Sequence, residues 1–318
     1  MWRSEDGAVV LGAVADGHGS KMSMRSHIGA RLAIETARRW VACHELTLQS
    51  SSENEVQRRA QAIPTAFVAQ WQQLVAQDLL RNPLRPHELD SLGEDDQTRV
   101  VMDPAQAYGT TLLMAIMTNS TVICAAIGDG DILLVEGERC TPAFGEDERF
   151  IANETASLCL PGAVDEFRVC IVERDQTAHK VVVLCTDGVS NAFRTNDDFY
   201  KLGSDLLEDT RERSDEEILK DLPVWLGQFS SEGSGDDVTL CILVAGMNGE
   251  NSRTQMRDSG RPRTELISLE EAKTEPCVMP GASGRPSDQS LRDRILIKAS
   301  RLLPFSTRTS NEAESGES

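Results

Sequence analysis

Apolar and polar positions along the chain follow two periods. Short unbroken apolar runs stand at Val9–Ala15, Thr110–Met117, Thr121–Ile127, Asp131–Val135, Phe167–Val172, Lys180–Thr186 and Val238–Val244. Runs of this length, bounded by Gly-, Asn- and Ser-containing turns, predict strands. The three central ones, separated by Thr-Asn-Ser and Gly-Asp-Gly turns, predict an antiparallel meander. Helical spacing appears over Ser23–Cys43, where Ile28, Leu32, Ala33, Thr36 and Trp40 share a face. It returns over Ala60–Leu80, with Ala66, Phe67, Leu74 and Leu80 available for packing and Pro64 near the first turn, and over Asp215–Phe229. Residues 44–57 are polar and read as loop, 82–104 as a polar connection, and 137–165 as irregular.

From residue 248 the pattern dissolves into Ser, Arg, Glu, Asn, Gly, Thr and Pro. Residues 248–318 therefore read as a disordered tail, and 1–247 as the folded domain. Leu291–Phe305 has the spacing of a short basic amphipathic helix, but a weakly structured tail is the stronger reading. No internal repeat is present.

Charge narrows the partners. Asp and Glu number 51 against 32 Lys and Arg, a net charge of −19. That balance argues against nucleic acid, whose phosphates select clustered basic residues, and against docking on an anionic membrane. An acidic chain acting on an anionic substrate needs cations to reverse the sign locally. The eight cysteines form no CxxC pair. With no secretory pattern at Met1–Asp6 and no apolar stretch long enough to span a bilayer, the expected setting is cytoplasmic, with reduced core thiols.

Three acidic turns share one layout: Asp16-Gly17, Asp129-Gly130 and Asp187-Gly188 each follow an apolar strand, and Asp236-Asp237 precedes the last one. A single Asp-Gly after a strand is an ordinary turn. Four short carboxylates at strand ends, however, are able to converge on one sheet edge. Oxygen-only donors of this kind select Mg2+ or Mn2+ over zinc.

These segments resemble the metal-dependent protein phosphatases of type 2C. Asp16-Gly17-His18-Gly19 is similar to that family's Asp-Gly-His-Gly signature, and Gly109-Thr110-Thr111 to its Gly-[Ser/Thr]-Thr strand. Gly128-Asp129-Gly130-Asp131 resembles the Gly-Asp-Ser-Arg turn. Thr186-Asp187-Gly188-Val189 resembles Ser-Asp-Gly-Leu, and Asp236-Asp237-Val238-Thr239 the closing Asp-Asn-x-Thr strand. The order holds from residue 1 to about 246.

The resemblance implies an α/β (α+β) fold, a four-layer αββα sandwich of two mainly antiparallel sheets flanked by helices. Helices 23–43 and 60–80 then cover one outer face and 215–229 the other. Val9, Val14, Leu112, Ile123, Val182, Leu184 and Ile242 are expected between the sheets. It also implies hydrolysis of phosphoserine and phosphothreonine by a metal-bridging water, with a serine/threonine kinase supplying the phosphoprotein. Two metal ions are implied, or three. Asp16 would serve both of the first two, the Gly17 carbonyl the second, Asp187 and Asp236 the first, and Asp129 with Asp187 the third. His18 would protonate the leaving oxygen. The family also carries an Arg and an acidic pair on a strand before the Asp-Gly-His-Gly turn. That first strand reads as missing here, with Arg3 the nearest Arg and Glu5-Asp6 in a hairpin turn. A non-catalytic binding module of the same fold therefore stands as the alternative, and an unrelated divalent-metal hydrolase as a weaker one.

Overall fold

The structure, a computed structural model, describes residues 1–49, 52–145, 156–174 and 180–245, and the backbone of 294–300. The chain opens with a hairpin: β1 (Trp2–Arg3) pairs antiparallel with β2 (Val10–Val14). A strand thus stands ahead of β2 where the sequence predicts none. Asp6 is spent within the intervening turn, where its carboxylate accepts from Ser4 Oγ at 2.7 Å and from the Ala8 amide at 2.9 Å.

Helices α1 (Ser26–Leu48), α2 (Glu53–Gln61), α3 (Ile63–Arg81), α4 (Pro86–Leu89) and α5 (Glu94–Met102) follow. Much of the predicted loop at 44–57 and the predicted connection at 82–104 is therefore helical. Pro64 lies in the first turn of α3, where its missing N–H costs least. Leu80, expected to pack, is 85% exposed near the end of that helix.

The strands β3 (Leu112–Met117), β4 (Thr121–Ile127), β5 (Asp131–Glu136) and β6 (Arg139–Pro142) come next. After α6 (Ala163–Glu166) come β7 (Arg168–Glu173) and β8 (Lys180–Cys185). The short α7 (Asp187–Ser190), α8 (Asn196–Glu212), α9 (Asp215–Gln228), β9 (Val238–Ala245) and β10 (Arg294–Ser300) complete the described chain.

One sheet has the order β1-β2-β3-β4-β7 and the other β10-β9-β8-β5-β6, with antiparallel pairing throughout. Val10, Val14, Leu113, Cys124, Val182 and Leu184 pack between the sheets. The first sheet's outer face meets Ala33, Trp40, Phe67 and Trp71 of α1 and α3. The second sheet's outer face meets Phe199, Leu206, Ile218 and Leu222 of α8 and α9. This is the four-layer αββα sandwich.

Three features depart from the sequence reading. Val9, Leu112 and Ile123 face α1 and α3, and Ile242 faces the α8–α9 layer, rather than the space between the sheets. Both faces of each sheet are covered, so β3 and β8 are buried at every position and show no alternation to indicate a side. Helix α8 lies in a stretch the periodicity leaves unassigned, although Phe199, Gly203, Leu206, Leu207 and Thr210 form a helical face and Thr195 caps its start. Lastly, Arg294–Ser300, inside the predicted tail, pairs along β9 from Val244 to Val238. The helix considered for Leu291–Phe305 is replaced there by a strand, and the remainder of 248–318 lies outside the described residues.

Candidate active site

Asp16 leaves the end of β2 and is held by the threonine pair that opens β3. Its carbonyl accepts from the Thr111 amide at 2.8 Å and from Thr110 Oγ1 at 2.7 Å, while its own amide donates to Thr111 Oγ1 at 3.0 Å. With the backbone of Asp16 saturated, the carboxylate is the group left to act. Thr111 also fixes the second acidic turn. Gly128 has φ +111°, a left-handed conformation, and a Cβ there would stand 2.5 Å from the Thr111 methyl. One threonine thus registers Asp16 against Asp129.

The other two turns are fastened in the same way. The Thr186 amide donates to the Thr239 carbonyl at 3.1 Å, and the Thr239 amide to Thr186 Oγ1 at 3.0 Å. The Asp187 turn lies so near the Asp236-Asp237 segment that a Cβ on Gly188 would fall 2.4 Å from the Asp237 carbonyl oxygen. A π turn, Phe229–Ser234, carries the chain from α9 to Gly235 and Asp236. The Asp236 carboxylate accepts from the Asp237 amide at 2.7 Å and is exposed.

The four turns share one field. Burial, reinforced by the charges of Asp187, Asp236, Asp129 and Asp237, pushes the Asp16 carboxyl up to about 7. Burial, then Asp129 and Asp236, pushes Asp187 up to about 6. Carboxylates that repel one another this way suit a divalent cation, and their donors are hard oxygens, which fit Mg2+ or Mn2+. Among the described residues, no three Asp, Glu, His or Cys side chains are gathered tightly enough to form a ready-made metal cage. A cleft of about 360 Å3 opens beside Asp16, bordered by Gly17, Arg31, Thr186 and Asp237.

His18 follows Gly17, its amide donating to the Gly109 carbonyl at 3.1 Å. Burial lowers the imidazole below its usual range, with Asp129 opposing the shift. Its backbone partner, Gly109, follows Tyr108, which belongs to a buried network. Arg25 donates to both Glu88 oxygens at 2.8 Å and to Tyr108 Oη at 2.8 Å, and Tyr108 donates to Asp78 at 2.6 Å. These supporting residues join α1, α3 and α4 across the sequence, and no local pattern marks them. Asp131 is also close by: burial raises its carboxyl, while Ser190 and Arg168 pull it down.

The family model for protein phosphatase 2C matches residues 1–227. The chain belongs to the protein phosphatase 2C family. No curated protein sequence matches it. Among solved structures it is similar to a bacterial serine phosphatase at 15% identity and TM-score 0.47, over 76% of this chain and 87% of that one. PppA of Pseudomonas aeruginosa shares 17% identity at TM-score 0.46, over 74% of this chain and 85% of its own. The serine/threonine phosphatase PstP of Mycobacterium tuberculosis shares 15% identity at TM-score 0.42, over 76% and 89%. As a member of the protein phosphatase 2C family, the chain is a metal-dependent protein serine/threonine phosphatase, a hydrolase that uses Mg2+ or Mn2+ and acts on phosphoproteins.

Proposed function

We propose that phosphoserine and phosphothreonine are hydrolysed at the edge that carries the turns of Asp16, Asp129, Asp187 and Asp236. The observation that carries this assignment is that Asp16 and Asp187 are both partly buried at strand ends among further carboxylates, so that burial first and the neighbouring Asp charges second raise both. Asp16, Asp187 and Asp236 are the residues that would hold one ion. Asp16 and the Gly17 carbonyl would hold a second, and Asp129 with Asp187 a third. When bound, the ions supply an activated water and offset the charge of the phosphate.

The chain's own groups do the remaining work. Thr110 and Thr111 orient Asp16 through its backbone. His18 hands a proton to the departing Ser or Thr oxygen. Burial lowers its pKa, which makes the imidazolium form a stronger proton donor. The substrate's phosphate must come from a protein serine/threonine kinase, which makes such a kinase the functional counterpart. A cytoplasmic setting agrees with the free thiols among the described residues and with the lack there of any helix long and apolar enough to cross a membrane. The acidic charge favours phosphoproteins over nucleic acids or membranes as partners.

The test is Mn2+-dependent hydrolysis of a phosphothreonine peptide. Asp187→Ala abolishes it and Asp236→Ala does nearly as much, because both remove ion-holding carboxylates. His18→Ala slows the peptide on the order of a hundredfold, the usual scale of general-acid help. It slows an aryl phosphate less, since that leaving group hardly needs a proton. A wild-type chain without metal-dependent turnover would make the protein a non-catalytic module on this fold.

A further inference from the structure

A second cleft, of about 470 Å3, begins at Asp129 and runs past the start of β5 to the connection between α7 and α8. It shares no lining residue with the cleft beside Asp16. Ile132, Phe144, Phe193 and Tyr200 give it apolar and aromatic walls, and Arg168 and Arg194 bring positive charge. The two arginines differ in their commitments. Arg168 donates to the Gly128 carbonyl at 3.0 Å and lies over the Phe144 ring, 5.0 Å from its centroid. Arg194 is exposed, and among the described residues it makes no hydrogen bond, ion pair or ring contact.

Such a guanidinium is out of place for structural reasons alone. The chain carries a net charge of −19, yet among the described residues no carboxylate pairs with this side chain. It stands on the wall of a cleft that begins at a reacting-edge aspartate, where a phosphorylated segment must approach. A planar fork of donors there matches a carboxylate or phosphate arriving from outside. The aromatic walls are suited to the apolar side chains of an extended peptide, which alternate with its polar ones.

We propose that this cleft receives the polypeptide flanking the phosphoresidue, and that Arg194 selects substrates with an acidic side chain close to it. The proposal rests on the phosphatase reading and adds a sequence preference to it. Steady-state kinetics of two phosphothreonine peptides, one with Glu and one with Lys beside the phosphoresidue, test it against an aryl phosphate that has no flanks.

Arg194→Ala should raise KM for the Glu peptide about threefold to fivefold, the scale of an exposed ion pair, and leave the aryl phosphate unchanged. Arg194→Glu should reverse the preference in favour of the Lys peptide. High salt should erase the wild-type preference, since the pair is exposed. The same order of affinities should appear in fluorescence anisotropy with labelled peptides, which needs no turnover. An inactive wild type would therefore sink the phosphatase reading while this preference was still measured. Equal losses on the peptides and the aryl phosphate would mean that Arg194 touches the phosphate itself. Equal responses of the Glu and Lys peptides would mean that it reads no flank. Either result overturns the proposal.

Discussion

Thr111 shows how much of the site depends on one side chain away from the acidic set. Its hydroxyl accepts from the Asp16 amide, and its methyl limits what Gly128 is able to carry. Thr111→Val keeps the shape and removes the acceptor, leaving a part-buried N–H unpaired. That loss is worth about 1–3 kcal/mol of stability. The variant should melt lower and need more Mn2+ for half-maximal activity, because the Asp16 carboxylate is no longer held in register. Thr111→Ser restores the acceptor and should recover the metal dependence, as a Mn2+ titration of both variants would show. If the valine variant titrates like the wild type, the hydroxyl has no positioning role. The aspartates themselves are legible in the sequence because each Asp-Gly follows an apolar run. The hydroxyl's partner lies 95 positions away, so no window along the chain reveals it.

Among the elements, the start of α1 is tied down by charge rather than by a cap. Its N-cap, Arg25, makes no capping bond and instead reaches Glu88 in α4 and Tyr108 before β3. The paired guanidinium holds the Glu88 carboxyl down to about 2, with desolvation opposing. A carboxyl depressed from its ordinary value of 4.5 stabilises the fold above that pH. The contribution disappears as pH falls through the folded value. Replacing Glu88 by Gln should therefore cost about 2 kcal/mol at neutral pH, the scale of a charge-assisted hydrogen bond. The difference between wild type and variant should shrink to nothing between pH 4.5 and about 2. Urea melts at several pH values would measure it, and a difference independent of pH would rule out the ion pair as its source. At this scale the sequence was readable wherever period and burial agree, as in α3 and α9. It misplaced Leu112 of β3 and Ile242 of β9, expected between the sheets but facing the helices, because those strands are apolar nearly throughout and show no side by alternation. Helix α8 was hidden by its acidic ends, since its buried face holds only a few large residues around Gly203.

For the whole molecule, the decisive feature is the far-travelled strand β10. It covers the edge of β9 over seven register positions, ending with Ser300 opposite Val238. Composition hides it, because a short apolar run among Ser, Arg and Glu resembles the rest of the tail. A chain ending at residue 293 should melt several degrees lower than one ending at 300, as expected when a sheet loses pairing. It should also self-associate at high concentration, because an unpaired edge is a template for another copy. Light scattering and thermal melts of the two forms would decide, and indistinguishable behaviour would show that β10 adds nothing. The same strand sets an order of events during synthesis. Residues 1–245 leave the ribosome with the described strands β1–β9 and the edge of β9 open, and it stays open until residue 300 has emerged. Strands β9 and β10 are separated in sequence by residues 246–293, and pairing between segments so far apart in the chain comes late in folding. The nascent protein is thus most vulnerable to pairing with its neighbours in the interval before its last strand arrives. Crowded polysomes, where emerging copies lie side by side, are where that vulnerability would be felt.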